Sequence, residues 1–321
     1  MPTFKPENVT LSQARTGSVP SAFGELIIKR VIENSKIMQL GNIIEMTDQS
    51  GNPVMEKSFT YLAEGPGAYW VGEGEVIETS KAKWLTAKIV AKKLGVIIPV
   101  SREFLHYSLS DFFSEIQPLI AEAFYKKFDE AGILNINNPF GASIDQSAMR
   151  ASNEIAKELT YDSILELQDK LTENGMKANG FISSVRNSTL LRGATKTENG
   201  VALSIYDRHT GQIDGLPTVE LDSVNMKPGT LYAGDFNYLY YGIPYTLSYK
   251  VSEDATLSSV VDEQGKPINL FERELIALRA TMDVGLMVVN DKAFAKAKAK
   301  PIKEDRDNFS PAPAPKYPQS V

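Results

Sequence analysis

The chain has 321 residues, enough for one large domain or two modest ones with a substantial buried core. Its 42% hydrophobic and 23% charged residues are ordinary for a globular protein. The lack of cysteine excludes disulfides and thiolate metal sites, and the formal net charge of −6 excludes attraction of nucleic acid by the protein's overall field.

The N-terminal residues, MPTFKPENVTLSQ, lack the basic segment followed by an apolar run that marks a signal peptide. No stretch of the chain reaches the roughly eighteen apolar residues of a membrane span. We therefore expect a protein that is made in a cytoplasm and does not contact a membrane.

The first predicted elements are an extended arm and a helix. Residues 1–20 contain Pro2, Pro6, Gly17 and Pro20 and show little periodicity, which favours an extended arm. A helix is predicted next, with a cap at or near Ser21 and an end before Asn34. Its apolar residues recur at helical spacing, at Phe23, Leu26, Ile27, Val31 and Ile32.

Residues 43–100 have the pattern of strands. The segments Val54–Leu62 and Lys83–Val90 alternate, and a segment rich in glycine and charge lies between them. The simplest interpretation is a long two-stranded hairpin that reaches away from the main body. The apolar run Leu94–Val100 is predicted to be a buried strand, although Pro99 interrupts it.

The predicted hairpin has opposite charges on its two halves and contains both tryptophans of the chain. Large aromatic side chains on a projecting loop are unfavourable unless a partner covers them. We predict a partner-binding interface formed by Trp70, Glu73, Glu75, Glu78, Lys81, Lys83 and Trp84. The alternative is an ordinary solvated strand edge, with lysines that prevent aggregation.

The strongest predicted helix runs from about Ser110 to Gly132, within a helical region that begins near Ser101. Its apolar stripe is wider than one face, which indicates a central helix with neighbours on several sides. Pro118 is expected either to kink this helix or to mark its true first turn.

The second half of the chain mixes helices and strands. Helices are predicted at Tyr161–Glu173, between Thr160 and Gly175, and at Ser184–Leu191. Strands are predicted at Gly180–Ile182, Thr218–Leu221, Thr230–Ala233, Tyr245–Val251 and Leu275–Val289. Beyond Phe294 the chain is rich in lysine and proline, which predicts a flexible tail. A solvated terminus is favoured over DNA contact for its lysines, Lys296, Lys298, Lys300 and Lys303.

The sequence contains no catalytic constellation. His106 and His209 lack metal-motif spacing, and the glycines at Gly65, Gly67, Gly72 and Gly74 match no phosphate-binding loop. The segments Asp214–Pro217 and Gly234–Phe236 are interpreted as turns at strand ends. The adjacent Asp129 and Glu130 are interpreted as a solvated helix face. We therefore predict no catalytic residue, cofactor or metal, and no enzyme activity.

The segment from Gly67 to Leu105 resembles the signature region of the major capsid proteins of tailed bacteriophages. The matching features are a Trp-Val-x-Glu-Gly element, a projecting loop, and strands that lead into Pro-Val-Ser-x-Glu and a helix. Further similar segments follow in the same order, namely IAEAFYKKFDEAGILN, IDGLPTVELDSV, GDFNYLYYGIPYTLSYKV and LFERELIALRATMDVGLMVVNDKAFAKA. The resemblance covers about residues 20–295 and is strongest to siphophages of Gram-positive hosts.

This resemblance implies an α+β chain with the Hong Kong 97-type capsid fold, which has an N-terminal arm, an extended hairpin loop, a peripheral domain with a long spine helix, and an axial domain. The implied division is 1–40 for the arm and first helix, 41–63 for peripheral strands, 64–93 for the extended loop, 94–154 for the peripheral domain with the spine helix, 155–240 for the axial domain, 241–295 for the return strands and 296–321 for the flexible tail.

The resemblance also implies a function. Copies of the chain would form pentamers and hexamers of an icosahedral head around double-stranded DNA, as part of a virion assembled in the host cytoplasm. A separate scaffolding protein and a portal are implied partners, since the family-like region begins near Phe23 and leaves no room for a scaffolding domain. The alternative is that a longer precursor was trimmed.

Some family members cross-link their shells through a lysine in the extended loop. The matching position here is Thr86, which implies no such bond, although Lys83 and Lys88 lie close enough to leave the register open. Three alternatives to the phage shell are an encapsulin nanocompartment, an unfamiliar α+β enzyme and a tail-tube subunit. The first shares the fold, whereas the missing catalytic site and the long helix argue against the other two.

Overall fold

The computed structural model describes residues 21–64, 83–198, 201–244, 247–261 and 265–298. In this part of the chain the α-helices are α1 (Ser21–Asn34), α2 (Lys36–Leu40), α3 (Arg102–Leu134), α4 (Ile144–Arg150), α5 (Tyr161–Thr172) and α6 (Ser188–Gly193). The strands are β1 (Asn42–Ile43), β2 (Glu56–Glu64), β3 (Lys83–Ser101), β4 (Glu154–Ala156), β5 (Gly180–Ser184), β6 (Thr195–Glu198), β7 (Val201–Ser204), β8 (Thr218–Leu221), β9 (Leu231–Gly234), β10 (Leu239–Gly242), β11 (Ser248–Ser252), β12 (Thr256–Val261), β13 (Pro267–Asn269), β14 (Leu275–Val288) and β15 (Phe294–Lys298).

Three predicted features lie outside the described residues. They are the N-terminal arm at 1–20, the glycine-rich segment between the hairpin strands, and the chain beyond residue 298. The division of the chain into peripheral and axial domains also remains a prediction.

The first sheet has the strand order β1-β10-β14-β3-β2, and β11 also pairs with β14. The long strand β3 pairs with β14 over residues 91–101 and with β2 over residues 83–90, both antiparallel. The two strands predicted at 83–90 and 94–100 are therefore one. Pro99 is tolerated because, in the described structure, this half of β3 has a strand partner on one side only.

The helix α3 lies against one face of this sheet. Alternate residues of β14 are buried toward it, from Ile276 through Leu278 to Val284. From the helix side, Phe124 and Phe128 enter the same core. The prediction of a central helix with several neighbours is confirmed. Since α3 begins well before Pro118, this proline lies inside the helix and does not mark its first turn.

The second sheet has the order β4-β15-β9-β5-β8 and shares a core with α5. The predicted helix at Tyr161–Glu173 is confirmed, with Thr160 and Ser163 forming a capping box. Gly175 follows it at φ +73°. The helix predicted at Ser184–Leu191 is instead a 3-10 turn followed by α6.

The C-terminal strand β15 corrects the prediction of a flexible tail that starts at residue 296. Lys296 to Lys298 pair with β4 in parallel, and Phe294 to Ala297 pair with β9. Ala295 and Ala297 are buried, while the Lys296 side chain meets a carboxylate. The lysine-rich composition predicts a solvated tail, but the small alanine side chains between the lysines fit the crowded interior of the sheet.

We expect the substitution Gly234→Ala to lower the free energy of unfolding by about 1–3 kcal/mol, because it overpacks a filled site. A Cβ atom at Gly234 would lie 2.8 Å from Cε1 of Phe294 and 3.1 Å from the carbonyl oxygen of Ala293. Urea unfolding of the unassembled subunit measures the effect. Gly193→Ala is the control, since no atom lies within 4 Å of its new methyl group. Equal stability of the two variants would contradict the prediction.

Candidate assembly surface

The predicted hairpin is formed by β2 and β3 and is fixed to the body at its base. Its two strands pair antiparallel from Glu56 opposite Val90 onward. The Tyr61 hydroxyl donates to the carbonyl oxygen of Val289 at 3.2 Å. Ile89 is buried near the base of the hairpin. The root of the hairpin is therefore held by the first sheet.

Farther from its base, the hairpin is exposed to solvent. Trp84, Leu85 and Thr86 are successive residues of β3, and all are exposed. Successive strand residues point to opposite faces, so both faces of the hairpin are open here. Trp84 is 62% exposed and lies opposite Leu62 in the ladder. An exposed tryptophan of this kind is typical of a surface that a partner covers.

Of the seven predicted interface residues, the structure places two. Trp84 is exposed as described above, and Lys83 is the first residue of β3. The other five, Trp70, Glu73, Glu75, Glu78 and Lys81, lie outside the described residues. Their grouping into one interface remains a prediction.

Two other residues of β3 bear on the chemistry of the hairpin. Lys88 forms an ion pair with Glu56 on the facing strand, and both side chains are more than half exposed. Thr86, the position matched to the family's cross-linking lysine, lies opposite Thr60. The absence of a cross-link remains a prediction.

The interpretation of Asp129 as part of a solvated helix face is wrong. Its side chain is 1% exposed and accepts a hydrogen bond from the Ser35 hydroxyl at 2.7 Å. It also accepts from the backbone N–H groups of Lys36 at 2.8 Å and Ile37 at 3.2 Å. These N–H groups begin α2 and have no partner within that helix. Asp129 therefore caps α2 from α3, and burial raises the pKa of its carboxyl to about 6.

A second polar cluster joins β15 to its surroundings. The Lys296 ammonium pairs with Asp145 and lies 3.8 Å from Glu154, and the three side chains are only 15–23% exposed. The buried Tyr232 donates its hydroxyl proton to Asp145 at 2.7 Å. Lys298 pairs with Glu154 at 2.8 Å. Burial, followed by the charge of Asp145, raises the pKa of Tyr232.

Sequence reasoning missed both clusters for the same reason. Asp129 and Lys296 belong to residue types that are mostly exposed, and each has charged neighbours in the chain. Their partners lie far away in sequence, so no local pattern identifies them. The one available signal was Ser35, which has the residue type of a helix cap.

The two histidines lie on different elements of the described structure. His106 belongs to α3, and the exposed His209 lies in a turn, where its backbone N–H donates to Asp207 at 2.9 Å. Among the described residues, no three His, Asp or Glu side chains are grouped as metal ligands would be. No helix in the described ranges is both long enough and apolar enough to cross a membrane.

The two segments that the sequence predicts to be turns, Asp214–Pro217 and Gly234–Phe236, have the geometry of turns. Asp214 and Gly215 have φ values of +51° and +71°, which are left-handed conformations typical of tight turns. Asp235 caps a 3-10 turn by accepting from the backbone N–H of Asn237 at 3.1 Å. Their interpretation as turns is confirmed.

Comparison with known proteins connects this architecture to a family. The model of the phage capsid family matches residues 17–299, which include both sheets, the hairpin and α3. The chain belongs to the phage capsid family. It is a structural capsid protein of a tailed bacteriophage with the Hong Kong 97-type fold, as the resemblance in its sequence implied.

Individual relatives agree with this assignment. The chain is 51% identical to the major capsid protein of Staphylococcus phage 80alpha over 294 residues, which cover 91% of this chain and 88% of that protein. It is 25% identical to a probable major capsid protein of Mycobacterium phage L5, over 71% of this chain and 75% of that protein.

Solved structures show the same fold. A chain from Microbacterium phage Oxtober96 superposes with a TM-score of 0.65 at 24% identity, covering 83% of this chain and 91% of that chain. The capsid of an empty GTA particle, computed with C5 symmetry, gives a TM-score of 0.58 at 13% identity, covering 83% and 89%. As a capsid protein, the chain is a component of the virion and associates with copies of itself.

Proposed function

We propose that copies of this capsid protein form the pentamers and hexamers of an icosahedral head that encloses the double-stranded DNA genome. The observation that carries this proposal is the family match over residues 17–299 together with the 51% identity to a major capsid protein. The similar GTA capsid was computed with C5 symmetry, which supports a five-fold ring. Rings of identical subunits require heterologous contacts, in which one surface of a subunit meets a different surface of its neighbour.

The proposal includes the assembly partners implied by the sequence. Assembly takes place in the host cytoplasm, with a separate scaffolding protein and a portal. The chain has a structural role without catalysis. In agreement with this role, Asp214 and Asp235 lie in backbone turns, where Asp235 caps a 3-10 turn. The relatives named above are phage proteins or a GTA capsid, which favours a phage shell over an encapsulin.

Electron microscopy of the purified protein tests the proposal. The protein is co-expressed with and without a candidate scaffolding protein, and the particles are imaged in negative stain. Closed shells of uniform diameter are expected with the scaffolding protein. A monodisperse monomer or small oligomer under both conditions would overturn the proposed function.

We expect the substitution Trp84→Ala to reduce shell yield several-fold while it leaves the stability of the free subunit within about 0.5 kcal/mol. The reason is that Trp84 is 62% exposed in the isolated chain, so its packing energy is available only to a partner. Sedimentation of assembled shells and urea unfolding of free subunits measure the two effects.

The matched control is Leu190→Ala, which shortens another exposed apolar side chain, on α6. Normal shell yield is expected for this control. If Trp84→Ala assembled as well as the control, the hairpin near residue 84 would not be part of an interface.

A further inference from the structure

The turn between β13 and β14 presents an exposed aromatic side chain beside carboxylates. Phe271 is 73% exposed, and both Glu272 and Glu274 are exposed, with Arg273 between them. The turn is well anchored, because the buried Leu270 precedes Phe271 and the N–H of Leu275 donates to the Leu270 carbonyl at 2.9 Å. Phe271, Glu272 and Glu274 are called the acidic knob below.

The acidic knob faces solvent in the described structure. Within the described part of the chain, neither Glu272 nor Glu274 forms an ion pair. Leaving a phenyl group in water forfeits about 1.5–3 kcal/mol that burial would provide. Aromatic residues are enriched where proteins contact one another, which makes a phenyl group held outward on an anchored turn a candidate contact residue.

A complementary cavity lies at the other end of the first sheet. It has a volume of about 260 Å³ and an apolar floor that includes Phe128, Phe140 and Val284. This is smaller than the roughly 300 Å³ at which small-molecule pockets begin, and it suits one side chain. Phe128 and Phe140 meet edge to face, with ring centroids 5.8 Å apart, so the floor is aromatic.

The rim of this cavity is basic. Lys92 and Lys127 border it, and both side chains are exposed. Neither lies within ion-pair distance of a carboxylate among the residues that the structure describes. Lys93 also borders the cavity, but it faces Asp283 across the ladder. Lys92, Lys127 and the aromatic floor are called the basic pocket below.

The acidic knob and the basic pocket of one chain cannot meet. The knob precedes Leu275 at the start of β14, whereas Val284 of the pocket lies nine positions further along the same strand. An antiparallel strand rises about 3.4 Å per residue, which separates the two surfaces by about 30 Å. Any contact between them must therefore join two molecules.

We propose that the acidic knob of one copy of this chain docks in the basic pocket of a neighbouring copy. The phenyl group of Phe271 enters the aromatic floor, and the two carboxylates meet Lys92 and Lys127. The contact is heterologous, since it joins two different surfaces of the same protein, as closed rings require. This inference rests on the proposed self-assembly and names one of its contacts.

The combination of charge and shape favours a protein segment over nucleic acid as the occupant. DNA phosphates would satisfy the lysines, but they would leave the aromatic floor of the basic pocket without a partner. A second copy offers one aromatic group and two carboxylates on one anchored turn. One carboxylate is therefore available for Lys92 and one for Lys127, with the phenyl group of Phe271 beside them.

Charge reversal with rescue tests the contact in the full-length protein. The knob variant carries Glu272→Lys and Glu274→Lys, and the pocket variant carries Lys92→Glu and Lys127→Glu. We expect each to reduce shell yield at least tenfold at low salt, and the four changes together to restore it. A matched control, Lys177→Glu with Lys227→Glu, changes the same charge at exposed positions elsewhere and should assemble normally.

A disulfide test does not depend on the effect of charge. The chain has no cysteine, so Glu272→Cys with Asn137→Cys introduces the only two thiols. Asn137 borders the cavity. A disulfide needs Cα atoms within about 7 Å, so these thiols can join only different chains. We expect ladders of linked subunits on non-reducing gels of oxidised shells, and none for Glu272→Cys with Lys177→Cys.

The outcomes separate this inference from the proposed function. Normal assembly of both charge variants, or loss without rescue and without ladders, would overturn the knob-and-pocket contact while wild-type shells still form. Failure of the wild type to form shells would instead overturn the proposed function. If the knob variant assembled normally while the pocket variant lost both assembly and binding of the free subunit to the scaffolding protein, that protein would be the occupant, and the second-copy contact would be wrong.

Discussion

The substitution Lys296→Ala is expected to lower the free energy of unfolding of the free subunit by about 3 kcal/mol, the low end for a broken buried ion pair. The Lys296 ammonium is 16% exposed and lies against Asp145 and Glu154, which are themselves mostly buried. Its removal leaves the Asp145 carboxylate without a counter-ion, in a site that also contains the buried hydroxyl of Tyr232. Urea unfolding at neutral pH measures the loss.

The matched control for this prediction is Lys298→Ala, two positions along β15. Lys298 is 47% exposed and pairs with Glu154, which still has Lys296 nearby. Its loss should therefore cost less than about 1 kcal/mol. Equal losses for the two variants would show that the cluster around Lys296 is not a buried anchor for β15.

The substitution Asp129→Ala is expected to cost about 3 kcal/mol of unfolding free energy, because it leaves buried donors without an acceptor. These donors are the Ser35 hydroxyl and the first N–H groups of α2, at Lys36 and Ile37. Asp129→Asn keeps one carbonyl oxygen and should cost about 1 kcal/mol. The comparison is made by urea unfolding near pH 7, and equal effects of the two variants would contradict a capping role.

The carboxyl group of Asp129 also makes the free energy of unfolding depend on pH. Burial raises the pKa of Asp129 from 3.8 to about 6 in the folded protein. Protonation therefore favours the folded state, and this contribution is fully present below about pH 3.8 and is lost as the pH rises through about 6. The difference in unfolding free energy between wild type and Asp129→Asn should increase as the pH falls from about 7 to 5. A constant difference would contradict the raised pKa.

Much of the local structure was predictable because its cause is local. Alternation of apolar residues predicted the two hairpin strands. The strand predicted at Leu275–Val289 is β14, which buries Val284 and its alternate neighbours on one face. The residue types at Thr160 and Gly175 predicted both ends of α5. The order of motifs along the chain led to the correct family.

Other predictions failed where distant contacts reverse a local tendency. The lysine-rich composition after Phe294 favours a solvated tail, but Ala295 and Ala297 fit the interior of a sheet made of distant strands. The apolar run Leu94–Val100 predicts a buried strand, and the strand does form against β14, but none of its residues is buried and Ile97 is 45% exposed. The burial of Asp129 depends on α2, which lies far earlier in the chain.

One of the two candidate contact residues, Trp84, was predictable from the sequence, whereas the other, Phe271, was not. Composition alone drew attention to Trp84, because a tryptophan in a charged hairpin needs cover. Phe271 has the same residue type as the buried Phe128, and only the fold leaves one in solvent and the other in the core. Local pattern therefore determined the elements and the family of this protein. The tertiary structure decided which charges are buried and which aromatic groups face a neighbour, since burial depends on contacts between residues that are far apart in the chain.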